Sequence, residues 1–269
     1  MFFVLTAALL ALSGCKDVPQ KGNSSHSEEQ ADSSYTIEQT KDCYSVTLAD
    51  GSGADSAHVQ FVLPCYADKQ VSEAIAEQVN EALGGSYEGS YSDVESMARH
   101  YLTNYMKEIK EERKDYDGEM PFERDLKVWR SYETDRLVTI NVQMYQYSGG
   151  AHGGTFCYGL SFRKSDGRQM GMNTLNNLVG DEGWSSMQKE GLMEYFDVKT
   201  DSALQDCLLD VETYFIPAPQ MAPYFSEKGL EFVYQQYEIA PYAAGLPSYT
   251  IPYRSLDKYL NATGRRLLK

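Results

Sequence analysis

Positive charge is scarce in this chain of 269 residues: 24 Lys and Arg face 39 Asp and Glu, a formal balance of −15. Phosphate backbones and anionic bilayer faces are held by clustered cations, so this balance disfavours both as partners. No nucleic-acid partner is expected. A basic protein partner is compatible with the charge, and solubility alone also explains it. Histidine is equally sparse. His26, His58, His100 and His152 share no ligand spacing and no CxxC is present, so no metal site is expected. The serine-hydrolase elbow GxSxG, the phosphate loop and the dinucleotide fingerprint are all missing. Glu111 and Glu112 adjoin, but they sit in the charged stretch Lys110 to Asp117, where nothing would raise a carboxyl pKa for acid catalysis. With no catalytic motif and no cofactor motif, the chain reads as a non-enzyme.

Long apolar runs are also missing beyond the first, MFFVLTAALLALSGC, Met1 to Cys15. That run is too short to span a bilayer as a helix, and it ends in small residues before a cysteine. It looks like a bacterial lipoprotein signal peptide with its lipobox, which implies cleavage after residue 14, lipid attachment at Cys15 and a membrane anchor through acyl chains. The expected address is the cell envelope, periplasmic or surface-exposed. Residues 15–34 are polar and without aliphatic periodicity, a flexible tether. Four further cysteines, Cys43, Cys65, Cys157 and Cys207, form an even set in an exported chain; this suggests disulfides with three connectivities. A hairpin folded about Ala54 would place Cys43 directly across from Cys65, the candidate disulfide.

What is present in quantity is alternation. Val138, Ile140, Val142 and Met144 alternate with Thr139, Asn141, Gln143 and Tyr145, and the pattern resumes from Phe156 to Arg163. This is the pattern of half-buried antiparallel strands. Between them, Ser148 to Gly154 holds four glycines in seven residues, a connection of unusual backbone geometry. Further strands are expected at Tyr35–Leu48, His58–Leu63, Leu126–Tyr132, Val211–Ile216, Leu230–Tyr237 and Ser248–Ile251. Asp68 should cap a helix carrying Val71, Ile75 and Val79. A capping box, Ser92 to Glu95, opens a second with Met97, Tyr101, Met106 and Ile109. Asp181 should cap a third, with Trp184, Met187, Leu192 and Tyr195 inward.

The run Tyr147-Ser148-Gly149-Gly150-Ala151-His152 and the later pair of segments, Phe225 to Phe232 and Tyr237-Glu238-Ile239-Ala240-Pro241-Tyr242 onward to Ile251-Pro252-Tyr253, resemble a bacterial extracytoplasmic domain of unknown function. It is similar to the ectodomain of RsiV-type anti-sigma factors and to the N-terminal module of PdaC-type peptidoglycan deacetylases, over roughly Tyr35 to Leu260. The resemblance implies an α+β fold, helices packed on small antiparallel sheets. It has an N-terminal part at 35–150 and a C-terminal part at 151–269, the second shaped like a small subdomain of the heat-shock-cognate ATPase. It also implies binding, since the anti-sigma branch senses lysozyme. Candidate ligand-binding residues are Tyr145, Tyr147, Gly149, Gly150 and His152. Exposed tyrosines suit recognition, because they offer apolar area with a hydroxyl. Two readings of His152 stand: it meets a partner from among its glycines, or it hydrogen-bonds across the turn and fixes the strand crossing. Two readings of the chain also stand, an envelope binding or sensing module for a lysozyme-like protein or a cell-wall component such as peptidoglycan, and an envelope hydrolase with an unfamiliar site.

Overall fold

Alternating burial makes the first sheet. In the computed structural model, which describes residues 34–39, 43–176, 178 and 180–268, seven strands lie side by side in chain order. They are β1 (Ser34–Gln39), β2 (Cys43–Ser52), β3 (Asp55–Pro64), β4 (Phe122–Glu133), β5 (Leu137–Ser148), β6 (Gly154–Arg163) and β7 (Gln169–Met170). The expected strand Tyr35–Leu48 is two strands, β1 and β2, paired antiparallel. All neighbours are antiparallel except β3 and β4, which run parallel because two helices cross between them. These helices are α1 (Lys69–Ala82) and α2 (Val94–Arg113). The side chain of Asp68 caps α1 by accepting the Gln70 N–H, as expected. Asp93, not Ser92, caps α2, accepting the Ser96 N–H at 2.9 Å; a carboxylate there also suits the helix dipole.

The apolar face of each strand meets the helices. Val46, Val59, Phe61, Leu126, Val128, Val138, Ile140 and Val142 pack with Ile75, Val79, Met97 and Tyr101 in one buried cluster. The hairpin of β2 and β3 turns between Ser52 and Asp55, one step from the expected centre, so Cys43 faces Pro64 and Cys65 follows. Burial raises the Cys43 thiol pKa, with the Cys65 thiol adding to the rise.

A second core lies past Met170. It is built on a three-stranded sheet, β8 (Tyr224–Phe225), β9 (Gly229–Val233) and β10 (Ser248–Pro252), in the order β10-β9-β8. Helices α3 (Glu182–Tyr195), α4 (Asp201–Gln205), α5 (Tyr253–Leu256) and α6 (Ala262–Leu267) accompany it. Trp184, Leu192, Phe232 and Tyr249 fill this core, with Phe232 and Tyr249 stacked at 4.6 Å. Tyr195 does not point inward as expected. It is exposed, its hydroxyl donating to the Ala244 carbonyl. Val211 to Ile216 is no strand either; only a Glu212–Phe215 bridge forms there. The sheets join through polar atoms. Thr139 Oγ1 donates to the Phe225 carbonyl at 2.7 Å and Ser161 Oγ accepts the Phe225 N–H at 2.8 Å. Gly159 lets the Tyr224 ring come against the backbone, where a Cβ would lie 2.2 Å from it. The described residues all belong to one compact unit, and β6 and β7 carry the first sheet beyond residue 150.

The described residues contain no helix long and apolar enough to cross a membrane. The expected signal peptide, lipid attachment at Cys15 and tether as far as residue 33 lie outside the described residues; Ser34, expected as the last tether residue, is instead the first of β1.

Candidate functional site

The site forms where the glycine-rich turn meets a loop from the second core. Strand β7 pairs with β6 only at Ser161 and Phe162, so on the side away from β5 the edge of β6 at Thr155 to Cys157 has no strand neighbour among the described residues. Two consecutive side-chain amides take the strand's place. Gln236 Oε1 accepts the Thr155 N–H at 2.8 Å. Gln235 Oε1 accepts the Cys157 N–H at 3.0 Å and its Nε2 donates to the Cys157 carbonyl at 2.8 Å. A side-chain amide offers the same donor and acceptor as a peptide, so the edge is satisfied without another strand. Just beyond, the Glu238 carboxylate accepts the N–H groups of Gln235 and Gln220, at 2.7 and 2.6 Å, and closes the turn that carries Tyr237. Tyr237 is held at φ +65°, a conformation that costs energy for a bulky residue, and its ring is exposed. Ile239 and Ala240, both buried, then anchor the loop before Tyr242.

On the other side, Gly149 and Gly150 take φ of +81° and +94°, the left-handed backbone that the glycine-rich run was expected to supply. Tyr145 packs on Gly153, whose Cβ would fall 2.5 Å from the ring. The turn then presents His152. Its ring stacks on Tyr242 with centroids 3.7 Å apart and planes at 17°. Nδ1 lies 3.0 Å from the Gly153 carbonyl and so donates to it, leaving Nε2 to accept the Tyr237 hydroxyl at 3.3 Å. The two segments that carried the resemblance, far apart in sequence, therefore touch through three aromatic rings. His152 thus makes hydrogen bonds within the turn and to Tyr237 while remaining exposed.

A cleft of about 520 Å³ opens beside the rings. Tyr145, His152, Tyr237 and Tyr242 line one side, and Tyr105, Phe156 and Glu108 contribute elsewhere. Burial, with the nearby Glu108 carboxylate, pushes the Tyr105 phenol up to about 12. It stays a neutral hydroxyl near pH 7. Burial also raises the Tyr145 phenol, helped by Glu123, Tyr242 and Asp125. Those two carboxylates stand directly opposite Tyr147 and Tyr145 on the sheet, which makes this end of its helix-free face acidic and aromatic.

Of the five candidate residues, Tyr145 and His152 line the cleft; Gly149 and Gly150 shape the turn behind it. Tyr147 spends its hydroxyl on the Gly150 carbonyl at 2.9 Å and braces that turn. Sequence reasoning missed the clamp beneath. Arg124 is buried and binds both Glu112 oxygens at 2.6 Å, Ser148 Oγ at 3.0 Å and the Tyr147 carbonyl at 3.2 Å. Glu112 was expected on a solvated helix end; instead it turns in to this guanidinium. Burial raises its pKa, but hydrogen bonds from Arg124 and Ser148 outweigh that and hold the carboxyl below its usual range. The signal was available: Arg124 occupies the apolar register of Phe122, Leu126 and Val128, where a cation needs a partner. Among the described residues no cluster of His, Cys, Asp and Glu could hold a metal.

A family model described as "Protein of unknown function (DUF3298)" matches residues 173–254, and one described as "Deacetylase PdaC" matches residues 55–155. His152 lies in the second stretch and Tyr237 and Tyr242 in the first, so the cleft forms where the two matched stretches meet. No curated protein matches the chain. Among solved structures, a member of the DUF3298 family from Bacteroides fragilis shares the fold at TM-score 0.63 and 20% identity, over 87% of this chain and 96% of that one. A DUF3298 family protein from Pseudomonas aeruginosa does so at TM-score 0.53 and 17% identity, over 87% and 94%. At such identities the likeness carries the α+β fold.

Proposed function

We propose that the chain is a lipid-anchored binding or sensing module of the bacterial cell envelope, and that the aromatic cleft is its recognition site. The observation that carries this reading is the stack of His152 on Tyr242, with Tyr237 held out beside it on a strained backbone. Rigid aromatic side chains at the mouth of a preformed cleft supply contact area at little entropy cost, the usual make-up of binding anchors. The carboxylates Glu123 and Asp125 beside Tyr145 favour a basic partner, and the resemblance to the anti-sigma branch supports a lysozyme-like protein; a cell-wall saccharide is the other ligand this site suits.

A second reading, a hydrolase, draws on one observation: Glu108 lines the same cleft as His152. Against it, both ring nitrogens of His152 are engaged by Gly153 and Tyr237, and among the described residues no carboxylate orients the ring as a general base requires. Calorimetric titration of a lysozyme and of a soluble peptidoglycan fragment tests the binding reading. At about 0.15 M salt, where the Debye length is ~8 Å, one of them should bind, and Tyr237→Ala should weaken it by more than about 1 kcal/mol with the fold intact. Equal binding by unrelated basic proteins would reduce the effect to charge and contradict the reading. The anchor is tested separately: Cys15→Ser should release the protein from membranes, and unchanged fractionation would refute lipidation.

A further inference from the structure

Charge and ring geometry narrow what the aromatic cleft can hold. Tyr105, Tyr145, Phe156, Tyr237 and Tyr242 line it with His152, and the Glu108 carboxylate stands among them. Three of the rings lie close together. His152 and Tyr242 are 3.7 Å apart between centroids, Tyr237 and Tyr242 6.0 Å, and His152 and Tyr237 6.4 Å. Tyr145 stands near them: burial raises its phenol pKa, and Tyr242 is one of the neighbours that add to the rise. Glu108 follows Tyr105 by three residues on α2, the spacing that puts two side chains on one side of a helix. Lys107 and Lys110, one and two residues from Glu108, lie on other sides.

The cleft has no spare positive charge. Arg124 is the only guanidinium or ammonium lining it among the described residues, and both Glu112 oxygens hold it at 2.6 Å. His152 donates from one ring nitrogen and accepts at the other, the bonding of a neutral ring. Glu108 is exposed, and the ion pairs made from α2 use Glu95, Glu111, Glu112 and Arg113 instead. The lining, counted with the partner of Arg124, is therefore left with one negative charge. An aromatic face attracts a cation within about 6 Å of its centre, and a carboxylate adds to that pull. An uncharged saccharide would lean on hydrogen bonds. Here Gln235 spends its amide on Cys157, Gln236 Oε1 accepts from Thr155, and Tyr237 gives its proton to His152. Charge therefore decides between the ligands that suit this site. We propose that the cleft takes an organic cation, the guanidinium or ammonium of a side chain projecting from a protein partner, an inference that rests on the cleft being the recognition site. Its volume of about 520 Å³ leaves room beside the cation for the methylene stem that carries it.

The test is titration of the chain, followed by NMR, with blocked tripeptides centred on arginine, lysine or citrulline, the uncharged isostere of arginine, at about 0.15 M salt. The arginine and lysine peptides should bind about tenfold or more tightly than the citrulline peptide. Tyr242→Leu keeps apolar area but removes an aromatic face, and should shrink that ratio. Glu108→Gln, an exposed change on α2 that spares the fold, should shrink it as well. Glu227→Gln removes the same charge outside the cleft and should leave the ratio unchanged; an equal effect there would reduce the preference to net charge and overturn the inference. Equal binding of the three peptides, each lost in Tyr237→Ala, would overturn it too, while leaving the cleft a recognition site. So would binding of none of them beside a peptidoglycan fragment or a lysozyme whose binding depends on Tyr237. If no ligand's binding depends on Tyr237, the recognition site falls and this inference falls with it.

Discussion

At the scale of single residues, one ion pair braces the turn behind the proposed recognition site. Arg124 reaches from β4 to the last residues of β5, and among the described residues Glu112 alone pairs with its charge. Replacing Glu112 with Ala strands a buried guanidinium. Losing a partner of a fully buried pair costs 3–5 kcal/mol; with Glu112 partly exposed, about 1–3 kcal/mol is expected, read as a lower denaturation midpoint. The same pair predicts a pH dependence. The Glu112, Asp55 and Glu133 carboxyls are all held below their ordinary pKa: burial raises each, and hydrogen bonds from Arg124, Arg113 and Lys164 respectively win. A carboxylate depressed in the folded state contributes stability that is present above the unfolded pKa and lost as pH falls through the folded one. The thermal midpoint should therefore be flat near neutrality and fall from about pH 5 downward. Glu112→Gln should flatten part of that fall, and a fall of unchanged size would remove Glu112 from the account.

At the scale of elements, what was legible in the sequence depended on how local the signal was. Strands β5 and β6 and helix α2 could be read because alternation and three-to-four spacing are intrinsic to each segment. The glycines were legible as backbone geometry, and Gly149 and Gly150 do take left-handed φ. The register of the β2–β3 hairpin slipped by one, because the turn-rich stretch from Ala49 to Ser56 left its centre undetermined. The cleft was half legible: its turn could be named, but its other wall, Tyr237 and Tyr242, depends on which loop crosses that edge, and nothing local to either segment encodes this. The Gln235–Gln236 contact with β6 decides it. Gln235→Ala should leave the N–H and carbonyl of Cys157 without partners on a largely buried edge and cost about 2 kcal/mol. It should also loosen the loop bearing Tyr237. Faster amide exchange at Cys157 and Tyr237 in the variant would show both effects; exchange like the parent's would mean the edge does not hold the loop.

At the scale of the molecule, two cores share one joint, and the aromatic cleft opens at the Ser148 end of β5 with Glu123 and Asp125 beside it. A net charge of −15 would draw a basic partner from a distance, but salt screens that attraction, so the specificity proposed for the cleft rests on its aromatic rings. The central claim is that the rings of His152, Tyr237 and Tyr242 are one recognition surface. Its most direct measurement is affinity capture from bacterial envelope extract at about 0.15 M salt, comparing the chain from Ser34 onward with its Tyr237→Ala/Tyr242→Ala variant by quantitative mass spectrometry. The account predicts at least one envelope component retained by the parent and lost, by about tenfold or more, from a variant that folds as the parent does. Identical capture by the two would contradict it.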